Sequence, residues 1–299
     1  ALVAGGKAGI TLVAPAAYRE QARALQRVIK RLTGVEPPLV DDAAVTLPFA
    51  THLLCLGNRS TNRAIGLLYD RGYTFLDLKY PGPGGYVVNS LHNPFGDGKN
   101  VLFVGGSDLE GVRAGTTALV GLLEQAGGGP GQLRVGWLQH IKLGAGYQVE
   151  HDVKKTDLWE ASRMYGSSGY FGWNMLSKHL ALYYQTGDES HLREFLRLAF
   201  PDAAAIKEIE DYDGERIENK HSPLSGPYHY AAHMMILLWD LVEESPFFTD
   251  EQRLKITNAF AAQLPHRVVE GIYNRTAPPA YLGDRHGDIR HLFERDCSV

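Results

Sequence analysis

The stretch "NVLFVGGSDLEGVRAGTTALVGLLEQ", residues 100–125, decides the fold of the first half of the chain. It begins with a short apolar run typical of a buried strand, passes two glycines, and continues with apolar residues at helical spacing. Ser107 followed by Glu110 is a capping-box pattern, which predicts a helix over 107–125. A strand that leads directly into a capped helix is the repeating unit of an α/β layer.

The same alternation runs through the rest of the first half. We predict strands at 9–15, 51–57, 84–90, 100–106 and 133–140 and helices at 16–33, 60–72 and 107–125. Gly34 stands where a C-cap is needed, and Ser60 is the predicted N-cap of the second helix. We therefore expect an α/β domain over residues 1–145.

The second half has helical spacing almost throughout. Gly187 ends one predicted helix, and Pro201 is expected to break the next, because proline cannot donate its backbone hydrogen bond. Thr249 and Gln252 form a second capping-box pattern. We expect an all-α domain over residues 146–299, built from antiparallel helix pairs.

Composition excludes some classes of partner. The chain has 299 residues, 44% of them hydrophobic, and a formal net charge of −4. This charge gives no basic field to attract nucleic acid, so no nucleic-acid partner is predicted. No run of about 18 apolar residues occurs, so no membrane span is predicted. The chain begins without Met and stops inside a helical pattern, and we expect it to be a piece of a longer protein.

The glycines of "VGGSDLEGVRAG" do not match a nucleotide-binding fingerprint. The spacing is not G-x-G-x-x-G, and no acidic residue follows at the distance that a ribose contact needs. These glycines are interpreted as a tight turn before a helix, so no nucleotide is predicted and the cofactor is left unknown.

The first half resembles a known accessory domain. The segments "LVAPAAYREQARALQRVIKRLTGVEPPLVDD", "THLLCLGNRSTNRAIGLLY" and "KNVLFVGGSDLEGVRAGTTALVGLLE" are similar to the small α/β domain at the front of family 20 hexosaminidases and α-glucuronidases. The resemblance covers about residues 9–141. It implies an α/β fold without catalytic residues of its own.

The second half resembles a different class in its style of helix pairs. "LYYQTGDESHLREFLRLA" and "FFTDEQRLKITNAF" look like the (α/α) toroid of heparinase-type and alginate-lyase-type polysaccharide lyases. A complete toroid has more helices than this half supplies, so a partial toroid is expected. Its open face would contact a missing C-terminal segment or a second copy of the chain.

This resemblance implies an extracellular or periplasmic enzyme that acts on a polysaccharide or oligosaccharide. A lyase must neutralise a uronate carboxylate, remove the proton beside it and protonate the leaving oxygen, and histidine and tyrosine suit the two proton transfers. The stretch "NKHSPLSGPYHYAAH", residues 219–233, is rich in both. The predicted catalytic residues are His221, Tyr228, His229 and His286.

Five further residues are predicted to bind the substrate. Trp173 and Asn174 lie in a glycine-rich aromatic stretch on which a sugar could stack, and Asn219 precedes the first catalytic histidine. Tyr281 and Arg285 lie in a loop rich in glycine and proline, a composition common in binding loops.

Two alternative functions and the role of one histidine pair stay open at this stage. A glycoside hydrolase on the same scaffold would use two carboxylates, which Asp211, Asp213, Glu215 and Glu218 in the acidic run 210–220 could supply. A non-catalytic carbohydrate-binding or assembly protein would need neither a catalytic carboxylate pair nor the acid and base of a lyase. His229 and His233 share a helix face and are either structural or a metal pair, but the glutamate of the zinc-protease motif is missing, and no metal ligand is predicted.

Overall fold

The computed structural model describes residues 1–155, 174–213, 220–224 and 229–261. The chain divides into two compact units, Ala1–Gln148 and Val149–Val299. The first unit combines strands and helices, and every regular element described in the second unit is a helix. The mixed α/β character predicted from the sequence is therefore confirmed.

The first unit is built on a six-stranded mixed sheet with a small hairpin beside it. The strands are β1 Val3–Ala4, β2 Lys7–Ala8, β3 Ile10–Val13, β4 Leu39–Val40, β5 His52–Gly57, β6 Tyr86–Leu91, β7 Val101–Gly105 and β8 Gln139–Lys142. The order in the sheet is β4-β3-β5-β7-β6-β8. The first four are parallel, whereas β6 is antiparallel to both β7 and β8. β5 and β7 are buried along almost their whole length, which explains their continuous apolar sequences.

Three helices cover this sheet: α1 Arg19–Thr33, α2 Arg63–Asp70 and α3 Leu109–Ala126. α1 buries Ala22, Leu25 and Ile29 at helical spacing and ends at Gly34, whose φ of 77° is the left-handed C-cap predicted from the sequence. Residues from α1 and α3 pack with the apolar side chains of β3, β5 and β7 in one core.

Both predicted N-caps of this unit are wrong by one or two residues. α2 is capped by Asn62 rather than Ser60, and the amide oxygen of Asn62 accepts hydrogen bonds from the backbone of Ala64 and Ile65. Its amide nitrogen also donates to the carbonyls of Val13 and Leu56, a connection that serine cannot make. α3 is capped by Asp108 rather than by the Ser107–Glu110 pair, and the Asp108 carboxylate accepts from Gly111 N.

The last predicted strand, 133–140, begins too early. Only Gln139–Lys142 joins the sheet, as β8. Leu133 is buried and instead exchanges backbone hydrogen bonds with Val3 of the hairpin. The strand was predicted to begin at Leu133 because this residue is apolar, but its burial comes from the contact with the hairpin.

Five helices form the described part of the second unit: α4 Met175–Thr186, α5 Ser190–Ala199, α6 Ala203–Asp213, α7 His229–Val242 and α8 Asp250–Ala261. The breaks fall where they were predicted, at Gly187 with φ 75° and beside Pro201. Thr249 and Gln252 make the two reciprocal hydrogen bonds of a capping box. None of the helices in the described ranges is long and apolar enough to cross a lipid bilayer.

α4 is the central helix of this group. It packs against both α5 and α7, and its residues Met175–Tyr184 are all buried. Beside it Trp239 packs on Phe195 and Phe248, with ring centroids 6.0 and 4.9 Å away. Because α4 is enclosed, the polar side chains it carries must find partners inside the unit.

Candidate functional site

The sequence-predicted site falls mostly outside the described residues. His221 is described, and it lies on an exposed turn between α6 and α7. His229 begins α7, and its side chain is outside the description. The other predicted residues that lie outside the described ranges are Tyr228, His286, Trp173, Asn219, Tyr281 and Arg285.

Asn174, predicted to contact a sugar, is a helix cap in the structure. It is fully buried, its side-chain oxygen accepts from the backbone of Ser177, and the Ser177 hydroxyl accepts from the backbone of Asn174. Its amide nitrogen lies 3.8 Å from the sulfur of Met235. The side chain holds the first turn of α4 in place and does not reach the surface.

The described residues bring together a different group, a chain of three histidines in the second unit. His151 Nδ1 lies 2.9 Å from His191 Nε2, and His191 Nδ1 lies 3.0 Å from His179 Nδ1. We call these residues the three-histidine chain. It runs from the half-exposed His151 through His191 to His179. The last two are buried: His191 is 4% exposed and His179 is 7% exposed.

Three segments position these rings. His179 projects from the enclosed helix α4, His191 from the first turn of α5, and His151 from residues 149–155, which we call the strap. The glycine turn at Gly187 reverses the chain between α4 and α5, so the two helices form a hairpin with His179 and His191 facing each other.

The strap is fastened to the helices at several points besides His151. Val153 is buried, and its carbonyl accepts a hydrogen bond of 3.4 Å from the buried ammonium of Lys178. Lys154 pairs with Glu208 on α6 at 3.2 Å, and Glu208 also accepts a hydrogen bond from Arg197 on α5. These contacts hold His151 over the α4–α5 hairpin.

Asp188 adds a carboxylate to the group. It lies in the turn between α4 and α5, where one oxygen accepts a hydrogen bond from the backbone of Ser190. The other oxygen is 4.0 Å from His151 Nδ1. One ligand atom each from His151, Asp188 and His191 all lie within 4.8 Å of one another.

The surroundings of His179, His191 and Asp188 favour the deprotonated form of each side chain. Burial, followed by the neighbouring His191, lowers the pKa of His179 to about 3. Burial and then the nearby His151 also lower the pKa of His191. The hydrogen bond from the backbone of Ser190 lowers the pKa of Asp188. Neutral imidazoles beside a carboxylate are the forms that accept protons or bind metal ions.

Sequence reasoning missed this group because its members are distant in sequence. His151 and His191 are 40 residues apart, and only the folded strap brings them together. One signal was present: Asp188 and His191 are three residues apart at a helix start, a spacing that places both side chains on one face. Within the pattern "TGDESH" this spacing was interpreted only as the end of one helix and the start of the next.

Comparison with known proteins adds no assignment. No protein-family model matches this chain, and no curated protein sequence matches it.

Proposed function

We propose that this chain belongs to an extracellular or periplasmic enzyme that cleaves uronate-containing polysaccharides by β-elimination. The observation that carries the proposal is the order of the two units. A mixed α/β unit precedes a unit whose described elements are consecutive helices. That order is the one implied by the resemblance to a hexosaminidase-type accessory domain followed by a lyase-type toroid.

The helical unit is proposed to be part of an (α/α) toroid. Support comes from its construction, because α4 and α5 form a hairpin and α4 also packs against α7. A toroid is a ring of such helix pairs. The substrate would then bind across the ends of the helices, where their connecting turns meet solvent.

The proposed chemistry breaks one carbon–oxygen bond and forms one carbon–carbon double bond. A base takes the proton from the carbon beside the uronate carboxylate, and an acid protonates the departing oxygen. His221, Tyr228, His229 and His286 are the proposed acid and base groups. His221 is exposed on its turn, so it meets the first requirement of such a group, access to a substrate.

Asn219 and Arg285 are proposed to neutralise the substrate carboxylate, because amide and guanidinium groups donate hydrogen bonds to developing negative charge. Trp173 and Tyr281 are proposed to stack on the sugar rings. In this proposal the first unit binds or orients the polymer and contributes no catalytic group.

The test is a paired assay on the purified chain with polymannuronate, polyguluronate, polygalacturonate, chondroitin and hyaluronan. Ultraviolet absorbance detects the unsaturated uronate that only elimination produces, and a reducing-end assay detects any cleavage. We expect both signals to rise together on at least one polymer. Reducing ends without the absorbance would overturn elimination in favour of hydrolysis, and the absence of both would overturn the proposed function.

A further inference from the structure

We propose that His151, Asp188 and His191 form a binding site for one divalent transition-metal ion of the zinc type. The site fastens the strap to the α4–α5 hairpin. None of its three residues is among those assigned to polysaccharide cleavage, and the proposal does not depend on that function.

The distances suit an ion of this kind after small movements. An ion bound by two nitrogens at about 2.0–2.1 Å in tetrahedral geometry places them about 3.3 Å apart. His151 Nδ1 and His191 Nε2 are 2.9 Å apart, so they must separate by only a few tenths of an ångström. His151 is on the half-exposed strap and can make this adjustment while the buried His191 stays in place.

Neither histidine has to lose its only ring proton. A neutral imidazole carries one proton, which can sit on either nitrogen. His151 binds through Nδ1 when its proton is on Nε2, and His191 binds through Nε2 when its proton is on Nδ1. The Nδ1 proton of His191 then donates to His179 Nδ1, 3.0 Å away.

The groups around the ligands hold them in the orientation that binding needs. Histidine ligands usually donate their second nitrogen to a fixed acceptor, and His179 supplies that acceptor to His191. Asp188 uses one oxygen to accept from Ser190 N, which leaves the other directed toward His151. A buried histidine, its buried partner and an anchored carboxylate together distinguish this group from surface residues that happen to lie close together.

The ligand set selects the type of ion. Two imidazoles and one carboxylate suit zinc and its neighbours, whereas magnesium and calcium prefer sites made wholly of oxygen. The side chains of His151 and Asp188 are 50% and 45% exposed, so an ion can enter from solvent. Three protein ligands leave a fourth position for water.

The test measures zinc binding to the full chain, without any polysaccharide. The protein is stripped with a chelator and titrated with Zn²⁺ against a chromophoric competitor, and the same titration is run on His151→Ala and Asp188→Asn. Both positions are exposed, so the variants are expected to keep the circular dichroism spectrum of the parent. His92→Ala, an exposed histidine of the first unit, is the matched control.

We expect the parent and His92→Ala to bind the same number of ions. His151→Ala and Asp188→Asn should each bind one ion at least about 10-fold more weakly, or lose it, because even the loss of an outer-shell partner costs about 10–100-fold. Co²⁺ in place of Zn²⁺ should give a visible absorption band that is lost in the same two variants. A parent that binds no zinc, or zinc binding unchanged in both variants, would overturn the site. Either result is independent of whether the protein cleaves polysaccharide.

Discussion

At the scale of single residues, several buried polar side chains connect backbone segments that are distant in sequence. Asn58 donates to the carbonyl of Gly106, and Asn62 donates to Val13 and Leu56, so the loops after three parallel strands are joined. His179 has the corresponding role in the second unit, where it gives the buried His191 a partner. Burial without such a partner costs about 1–3 kcal/mol for each group.

Substitution of His179 tests this role. We expect His179→Leu to lower the free energy of unfolding of the second unit by about 1–3 kcal/mol more than His179→Asn does. Leucine leaves a buried nitrogen of His191 without a partner, whereas an asparagine amide extends to about the position of Nδ1. Urea denaturation of both variants, followed by tryptophan fluorescence, gives the difference. Equal losses would show that shape matters at this position and the hydrogen bond does not.

His221 tests the proposed catalytic assignment. If it acts as acid or base, His221→Ala should reduce turnover on the cleaved polysaccharide by about 10²–10⁴-fold. The side chain is exposed, so the melting temperature should change little. The unsaturated product is measured by absorbance, with His92→Ala as the matched variant. Full activity in His221→Ala would remove this histidine from the mechanism.

Sequence patterns predicted the roles of some residues and missed others for a physical reason. Gly34, Gly187 and the Thr249–Gln252 pair act locally, so their neighbours in sequence were sufficient to assign them. Asn174 also acts locally, as a helix cap, but the aromatic residues before it led to the prediction that it binds a sugar. The group of His151, Asp188 and His191 was not predicted, because His151 meets its partners only through tertiary structure.

At the scale of elements, two glycines of α3 allow this helix to pack closely against the sheet. A methyl group on Gly111 would collide with the carbonyl oxygen of Gly85, and one on Gly115 would lie 2.9 Å from Val104. α3 therefore lies closer to the sheet, and to the loop before β6 that contains Gly85, than alanine at these two positions would allow. Gly121, on the same helix, has no atom within 4 Å of the equivalent position.

These glycines give a matched pair of substitutions. Gly111→Ala should destabilise the first unit by about 1–3 kcal/mol, because the loop at Gly85 must shift. Gly121→Ala should stabilise it by about 0.5–1 kcal/mol, because alanine favours the helix and meets no obstacle. Thermal unfolding of the two variants measures both effects. Similar shifts of the same sign would mean that helix propensity outweighs the close contact.

The existence of most elements could be predicted, whereas some of their ends could not. Apolar periodicity identified the three helices on the sheet and the strands of its centre, because burial imposes that periodicity. The starts of α2 and α3 depend on which of several nearby polar residues caps the helix. Asn62 caps α2, and its amide nitrogen also donates to a carbonyl of β3 and a carbonyl of β5. The start of β8 was likewise set by Leu133 pairing with Val3.

At the scale of the whole molecule, the chain consists of two units with different construction. The first has a complete sheet and its own apolar core within Ala1–Gln148. A unit with its own core is expected to fold without the rest of the chain. The change from alternating strands and helices to helices alone was visible in the sequence, because each layer type imposes its own periodicity.

Expression of residues 1–148 alone tests this independence. We expect a soluble fragment with one cooperative thermal transition. A shorter fragment, residues 1–137, lacks β8 and leaves β6 as an open edge, so it should be less stable and more prone to aggregate. Circular dichroism and light scattering compare the two. An unfolded 1–148 fragment would show that the first unit depends on the second.

The three-histidine chain has one more property, which follows from the position of His191. That ring contacts an imidazole through each of its nitrogens, at 2.9 and 3.0 Å. A neutral imidazole donates from one nitrogen and accepts at the other, so both hydrogen bonds of the chain must point the same way. The same three ring positions therefore allow two opposite directions for these hydrogen bonds: His151 donates toward the interior in one, and His179 donates toward the surface in the other.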